Sequence, residues 1–268
     1  MAVVAVSPGN HATLPTSTLV IAKRSLLKFM RTPQLVVLET IQGALFLLIF
    51  RYVFGGAIGI EGVSYVNFLV PGFVLTSILF SGMTAAAGVA EDLEQGFVDR
   101  LRSLPIPRSA VLAGRVFADT ASVSWGLLVT TAVGFAVGFR LTGSVTEGLA
   151  AFALCVVFGF ALGWLFLFIG LVAGNAQAAQ GMSLMIIPFT FVSSAFVPVE
   201  SMPGWLQALG NNQPITFMVD AVRALTLGSG AESILGHSAG YFVVRALLWA
   251  AALVVVFGAL AVARYRKV

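Results

Sequence analysis

The chain has 268 residues, of which 59% are hydrophobic and only 10% charged, and its mean hydropathy is +0.99. Soluble domains carry about 25% charged residues, so a water-exposed globule would lack polar surface, and the same apolar excess excludes a disordered chain. The solvent of this protein is largely lipid. A single cysteine, Cys155, excludes an intrachain disulfide, and the histidines His11 and His237 give no metal-ligand spacing. The net charge of +4 does not point to nucleic acid, because the 15 Lys and Arg residues sit in short clusters beside apolar runs. That placement is a membrane topology signal.

In chain order, residues 1–17 lack a basic n-region and are interrupted by Pro8 and Pro15, which predicts a disordered cytosolic tail and not a cleaved signal peptide. Over residues 18–32, Leu19, Ala22, Leu26, Leu27 and Met30 share one helical face while Arg24, Lys28 and Arg31 share another. Lys23 falls on the apolar side but is long enough to snorkel. The pattern predicts an amphipathic interfacial helix in the headgroup plane. Thr32 and Pro33 then read as the N-cap and first residue of a helix entering the bilayer.

Residues 33–268 read as an all-α, polytopic transmembrane domain. A helical span needs about 20 apolar residues, and six stretches supply them: Leu35–Gly56, Tyr65–Ala90, Phe117–Phe139, Leu149–Ala173, Gly181–Val197 and Tyr241–Ala263. The fifth is the shortest and contains Pro188, which predicts a kink or a merger with the next segment of chain. Gly134/Gly138, Gly159/Gly163 and Gly170/Gly174 have the GxxxG spacing that lets helices approach closely in lipid. With both termini cytoplasmic, eleven basic residues (Lys23, Arg24, Lys28, Arg31, Arg100, Arg102, Arg108, Arg115, Arg264, Arg266, Lys267) fall inside. Four (Arg51, Arg140, Arg223, Arg245) fall outside, as the positive-inside rule asks.

Within the first span, Glu39 lies near the inner end and Arg51 near the outer end, about 18 Å apart along the axis, so they do not pair. Each can snorkel, and each is a pathway candidate. Gln42, one turn from Glu39, is placed to hydrogen-bond across a helix interface.

The loop after the second span is more than a connector. Acidic Glu91, Asp92 and Glu94 open it, and Arg100 and Arg102 close it, an order that complements a helix macrodipole. Leu93, Phe97, Leu101 and Leu104 form one apolar stripe with Gly96 and Asp99 between, before Pro105 and Pro107 stop the helix. The stripe has two available partners: the membrane surface or its own bundle, and a groove on a cytosolic protein. Further on, Arg115 and Asp119 at i, i+4 read as a structural pair.

After the fifth span, Phe196-Val197-Pro198 leads through Met202-Pro203-Gly204-Trp205 to Asn212-Gln213-Pro214, and on to Asp220 and Arg223. Pro198, Pro203 and Pro214 break any continuous span while the pieces between remain apolar. The spacing fits outer re-entrant helices with Trp205 at the interface, covered by protein or a wet cavity, and equally fits an extracellular amphipathic hairpin. Asp220 and Arg223 at i, i+3 are placed to pair.

Chemistry is sparse. No G-x-x-x-x-G-K-[ST] occurs, since the only lysines, Lys23, Lys28 and Lys267, do not follow glycine, so the chain is not expected to hydrolyse ATP by itself. No catalytic or metal constellation is assembled in the spans, and no deep carboxylate suits a proton-coupled antiporter.

The segment from Glu91-Asp92-Leu93-Glu94 through Arg100-Leu101-Arg102-Ser103-Leu104-Pro105-Ile106 resembles the membrane subunit of ABC-2 type exporters, in particular the bacterial daunorubicin-resistance branch. So does Pro198-Val199-Glu200-Ser201-Met202-Pro203-Gly204-Trp205-Leu206-Gln207 with Asn212-Gln213-Pro214-Ile215-Thr216 and Val219-Asp220-Ala221-Val222-Arg223-Ala224-Leu225. The resemblance runs from Lys23 to Arg264; Gln213 stands where the family often has Asn. It implies a six-helix permease of the plasma membrane, multi-pass, that pairs with a second copy or a paralogue. Two copies of a separate cytosolic nucleotide-binding ATPase would bind ATP and Mg, leaving this chain without cofactor or catalysis of its own.

By the same resemblance, Glu91–Pro105 looks like the coupling helix that docks on the ATPase, and the helix bearing Lys23, Arg24, Lys28 and Arg31 looks like the connecting helix. Phe196 to Arg223 looks like the outer re-entrant gate, and Glu39 and Gln42 border the route by position. The implied function is export of a hydrophobic or amphiphilic drug, lipid or glycolipid, as in multidrug resistance or lipid transport. The rival reading is a secondary transporter driven by an ion gradient; a scaffold without a pathway is a third.

Overall fold

The computed structural model describes residues 41, 45, 47–54, 63–96 and 108–267. Outside them lie the predicted tail and interfacial helix with Lys23, Arg24, Lys28 and Arg31, the pathway candidates Glu39 and Gln42, and the stretch holding Phe97, Asp99, Arg100, Leu101, Arg102, Leu104 and Pro105. Among the described residues all regular structure is helical. The described part of the predicted first span ends in a π-helical turn, Phe50–Phe54.

Helix α1 (Tyr65–Glu94) starts where the Ser64 side chain accepts from the Asn67 N–H, and its 30 residues extend about 45 Å. That exceeds the roughly 30 Å of a bilayer's hydrocarbon core, so the acidic last turns lie beyond the apolar run. Helix α2 (Arg108–Ala136) starts well before the predicted third span. Helix α3 (Val145–Ala173) opens with a capping box, Ser144 and Glu147 each accepting the other's backbone N–H. Then come α4 (Ala176–Leu184), α5 (Ile187–Phe191), α6 (Gly204–Gly210), α7 (Pro214–Leu227), α8 (Ala231–Leu235) and α9 (Ala239–Tyr265).

Among the described residues, four helices are long and apolar enough to cross a membrane: α1, α2 over Val111–Ala136, α3 and α9. The predicted fifth span, Gly181–Val197, is no single helix. It breaks at Met185 and Ile186, resumes as α5 with Pro188 in its first turn, and unwinds again after Phe191.

The hub is α3, which packs against α1, α2, α4, α7 and α9. Lipid offers no hydrophobic drive between helices, so close backbone approach must supply the contacts. Gly82 of α1 sits under the Phe166 ring of α3, and a Cβ on Gly170 would stand 2.5 Å from the Ala86 carbonyl oxygen. Gly159 and Gly163 face Val123 and Val116 of α2, at 3.0 and 3.1 Å from where their Cβ atoms would be. Of the three GxxxG pairs, only this one works as a pair on one interface; Gly138 and Gly174 lie past the ends of α2 and α3. Facing outward, α9 presents Val244, Leu248 and Val255 and α2 presents Trp125 and Leu128, all exposed and apolar, a surface suited to lipid.

The 14 residues of α7, about 20 Å, run along α3. Its first turn, at Ile215, borders the same cavity as Leu162 and Leu165 in the middle of α3. Its last turn meets the α2–α3 connection, where the Thr142 and Gly143 N–H groups both donate to the Thr226 carbonyl at 3.1 Å. Thus α7 reaches from one end of the bundle to its interior.

Candidate functional site

Unwinding after α5 leaves backbone polar groups inside the bundle, where water does not serve them, so each needs a protein partner. Two serines supply some. Ser193 Oγ donates to the Thr190 carbonyl at 2.6 Å and accepts the Ala195 N–H at 3.1 Å. The unwound segment then lies directly on α1. Gly72 permits this, because a Cβ there would overlap the Ala195 carbonyl.

One position earlier, Pro71 removes a helical N–H from α1, and in the same turn the Phe68 carbonyl accepts from a donor outside the helix. That donor is Arg223. Its Nε and Nη2 donate to the Phe68 oxygen at 3.2 and 3.0 Å, and Nη2 also reaches the Ser194 carbonyl at 2.8 Å. Nη1 pairs with Asp220 Oδ1 at 2.5 Å, and that oxygen accepts from Ser194 Oγ at 2.7 Å. The guanidinium carbon stands 3.6 Å from the centre of the Phe68 ring, a cation–π contact. Arg223 has 0% exposure, and its three guanidinium nitrogens are all bonded within the protein. The arrangement ties α7, α1 and the unwound segment together; it is a clamp, with no exposed group for chemistry.

The predicted outer-gate residues divide around this clamp. Asp220 and Arg223 form its ion pair, and Phe196, buried beside it, stacks on Phe50 of the π-helical turn at 4.8 Å. Pro198, Met202 and Pro203 shape the turn into α6, where Ser201 Oγ donates to the Pro198 carbonyl at 2.7 Å. There Gln207 Nε2 donates to the carbonyls of Glu200 and Met202 at 3.1 and 2.8 Å. Gly210 closes α6 onto the break, since a Cβ would stand 2.7 Å from the Val192 carbonyl. Trp205 is exposed, and Pro214 begins α7 at the end remote from the ion pair. Phe68, Gly72 and Ser194 are clamp members that the sequence pattern does not single out; the visible clues are Pro71-Gly72 inside a span and Ser193-Ser194 shortly after Pro188.

A second polar cluster sits at the other end of α1. Glu91, Asp92, Leu93 and Glu94 are its last turns, and Gly96 follows the Gln95 cap in a left-handed conformation, φ 65°. The expectation that these acids open a new helix is therefore corrected. Nothing between Ala90 and Gln95 breaks the helix, so they end α1, where the macrodipole opposes negative charge. Arg115 of α2 offsets this: its Nη1 meets Asp92 Oδ2 at 2.5 Å and its Nε meets both Asp119 oxygens at 3.1 Å. The i, i+4 pair is present, with Asp92 as a third member.

Apolar helices of bilayer-crossing length, and an internal clamp that satisfies a broken one, define a multi-pass membrane protein. The family model for ABC-2 type transporters matches residues 16–227, and the chain belongs to that family. It is 31% identical over 259 residues to the daunorubicin resistance ABC transporter permease protein DrrB1 of Streptomyces coeruleorubidus, covering 96% of this chain and 88% of that protein. It is 29% identical to the inner membrane transport permease YadH of Escherichia coli, over 75% of this chain and 79% of the relative. With the probable doxorubicin resistance ABC transporter permease protein DrrC of Mycobacterium tuberculosis it shares 24% identity, over 74% of this chain and 69% of the relative.

Proposed function

We propose that this ABC transporter permease is the membrane half of an ATP-driven exporter that carries a hydrophobic or amphiphilic drug, lipid or glycolipid outward across the plasma membrane. The observation that carries the reading is similarity along 96% of the chain to a daunorubicin resistance permease, in a sequence without a phosphate-binding loop of its own. The working unit is two permease chains, each of six spans with cytoplasmic termini, over two copies of a separate ATPase. Residues 1–17 are the tail, 18–32 the interfacial helix and 33–268 the transmembrane domain.

Closure of the ATPase dimer pushes the coupling segment Glu91–Pro105. The tie from Asp92 to Arg115 supports this, because it joins the start of that segment to both α1 and α2. Helices α6 and α7 act as a re-entrant pair that closes the outer exit, a role supported by the course of α7 into the bundle. Glu39 and Gln42 border the route, and Lys23, Arg24, Lys28 and Arg31 hold the interfacial helix near the ATPase. ATP must bind one of two permease states more tightly, or nothing moves.

The test uses inverted membrane vesicles holding this chain and a partner nucleotide-binding ATPase, with daunorubicin as the probe. Leu101→Asp is expected to abolish ATP-driven uptake while the protein still inserts in the membrane. Undiminished uptake by that variant overturns the coupling assignment, and uptake driven by a pH difference without ATP overturns the exporter reading.

A further inference from the structure

Where α6 and α7 meet α1, α3 and α9 lies a cavity of about 390 Å³, within the range of roughly 300–1,000 Å³ typical of small-molecule sites. Leu79, Leu162, Leu165, Met218 and Leu253 contribute to a largely apolar wall, and none of its lining residues is charged. Phe189, Leu209 and Trp249 border it and are exposed, as is Asn212, so the cavity is open and its mouth mainly apolar.

The wall carries one unserved polar group. Gln213 is 5% exposed, and among the described residues neither its Nε2 nor its Oε1 has a hydrogen-bond partner. Its neighbour Asn212 differs, since that amide donates to the Ala208 carbonyl at 2.9 Å. Gln213 is also the N-cap residue of α7, and no side chain caps that end, so first-turn N–H groups are left beside the amide. A buried amide that bonds nothing is unfavourable. An amide both accepts and donates, and its best complement does the same.

We propose that this cavity binds one uncharged amphiphile, an apolar chain or ring bearing a single hydroxyl, with Gln213 bonding the hydroxyl and the leucine-rich wall holding the body. A charged headgroup is excluded because the lining offers no counter-charge to offset its desolvation. The site lies within one chain and its binding is measured without nucleotide or ATPase, so it stands or falls separately from the exporter reading.

The experiment is photolabelling of the purified full chain in lipid nanodiscs, with labelled positions mapped by mass spectrometry. The probes are a diazirine-bearing hexadecanol and the matching hexadecane. In the wild type the alcohol labels Met218, Trp249 or Leu253 about tenfold more than the alkane does at equal concentration, the size expected of one buried hydrogen bond. Gln213→Leu removes that preference, and Leu165→Trp, which fills the cavity, removes labelling by both probes. Labelling of outward-facing Val255 serves as the reference and stays constant. Equal labelling by alcohol and alkane in the wild type overturns the proposal without any variant. So does an alcohol preference that survives Gln213→Leu, or cavity labelling that survives Leu165→Trp.

Discussion

Arg223 is a cation with no exposed surface, and it is tolerated only because four separate acceptors or faces meet it: Asp220, the carbonyls of Phe68 and Ser194, and the Phe68 ring. Removing one member of a buried pair strands the other and costs about 3–5 kcal/mol. Arg223→Met is therefore expected to lower the thermal unfolding temperature in detergent sharply, and Asp220→Asn/Arg223→Met to recover part of the loss, since no charge is then stranded. A double variant no more stable than Arg223→Met would show that the carbonyl bonds, and not the ion pair, dominate. The pair itself is legible at i, i+3. Its partners are not, because Ser194 lies 26 positions from Asp220 and Phe68 lies 155 from Arg223, separations that no local pattern spans.

At the level of elements, apolar runs locate α1, α3 and α9 well but fix their polar ends poorly. Hydropathy ends the second span at Ala90, yet α1 continues to Glu94, because hydropathy falls before helical hydrogen bonding does. Pro188 announces trouble in the fifth span, but the second unwinding at Val192–Val197 depends on tertiary partners: Gly72, Asp220 and Arg223. Glycines expose the difference between local and tertiary causes. Gly72→Ala is expected to destabilise by about 1–3 kcal/mol, the usual cost of overpacking, because its Cβ meets the Ala195 backbone. Gly126→Ala in α2 meets nothing within 4 Å and is expected to be stabilising by roughly 0.5–1 kcal/mol through helix propensity. Thermal unfolding of the two variants checks this, and the opposite order would contradict the packing.

Across the whole molecule, α3 holds the other helices by close glycine contacts while α2 and α9 turn apolar faces outward, so the bundle is rigid at its centre and solvated by lipid at its edge. The clamp and the Arg115 cluster lie at opposite ends of α1. A push at the Asp92 end therefore has a continuous helix along which to reach the Phe68 end, where α7 and the unwound segment are fixed. In this account the push comes from another protein. The most direct measurement is transport of daunorubicin in proteoliposomes holding this chain alone or with its ATPase. The account predicts transport only when the ATPase and ATP are both present. Transport by the chain alone, under a pH difference and without nucleotide, would contradict it.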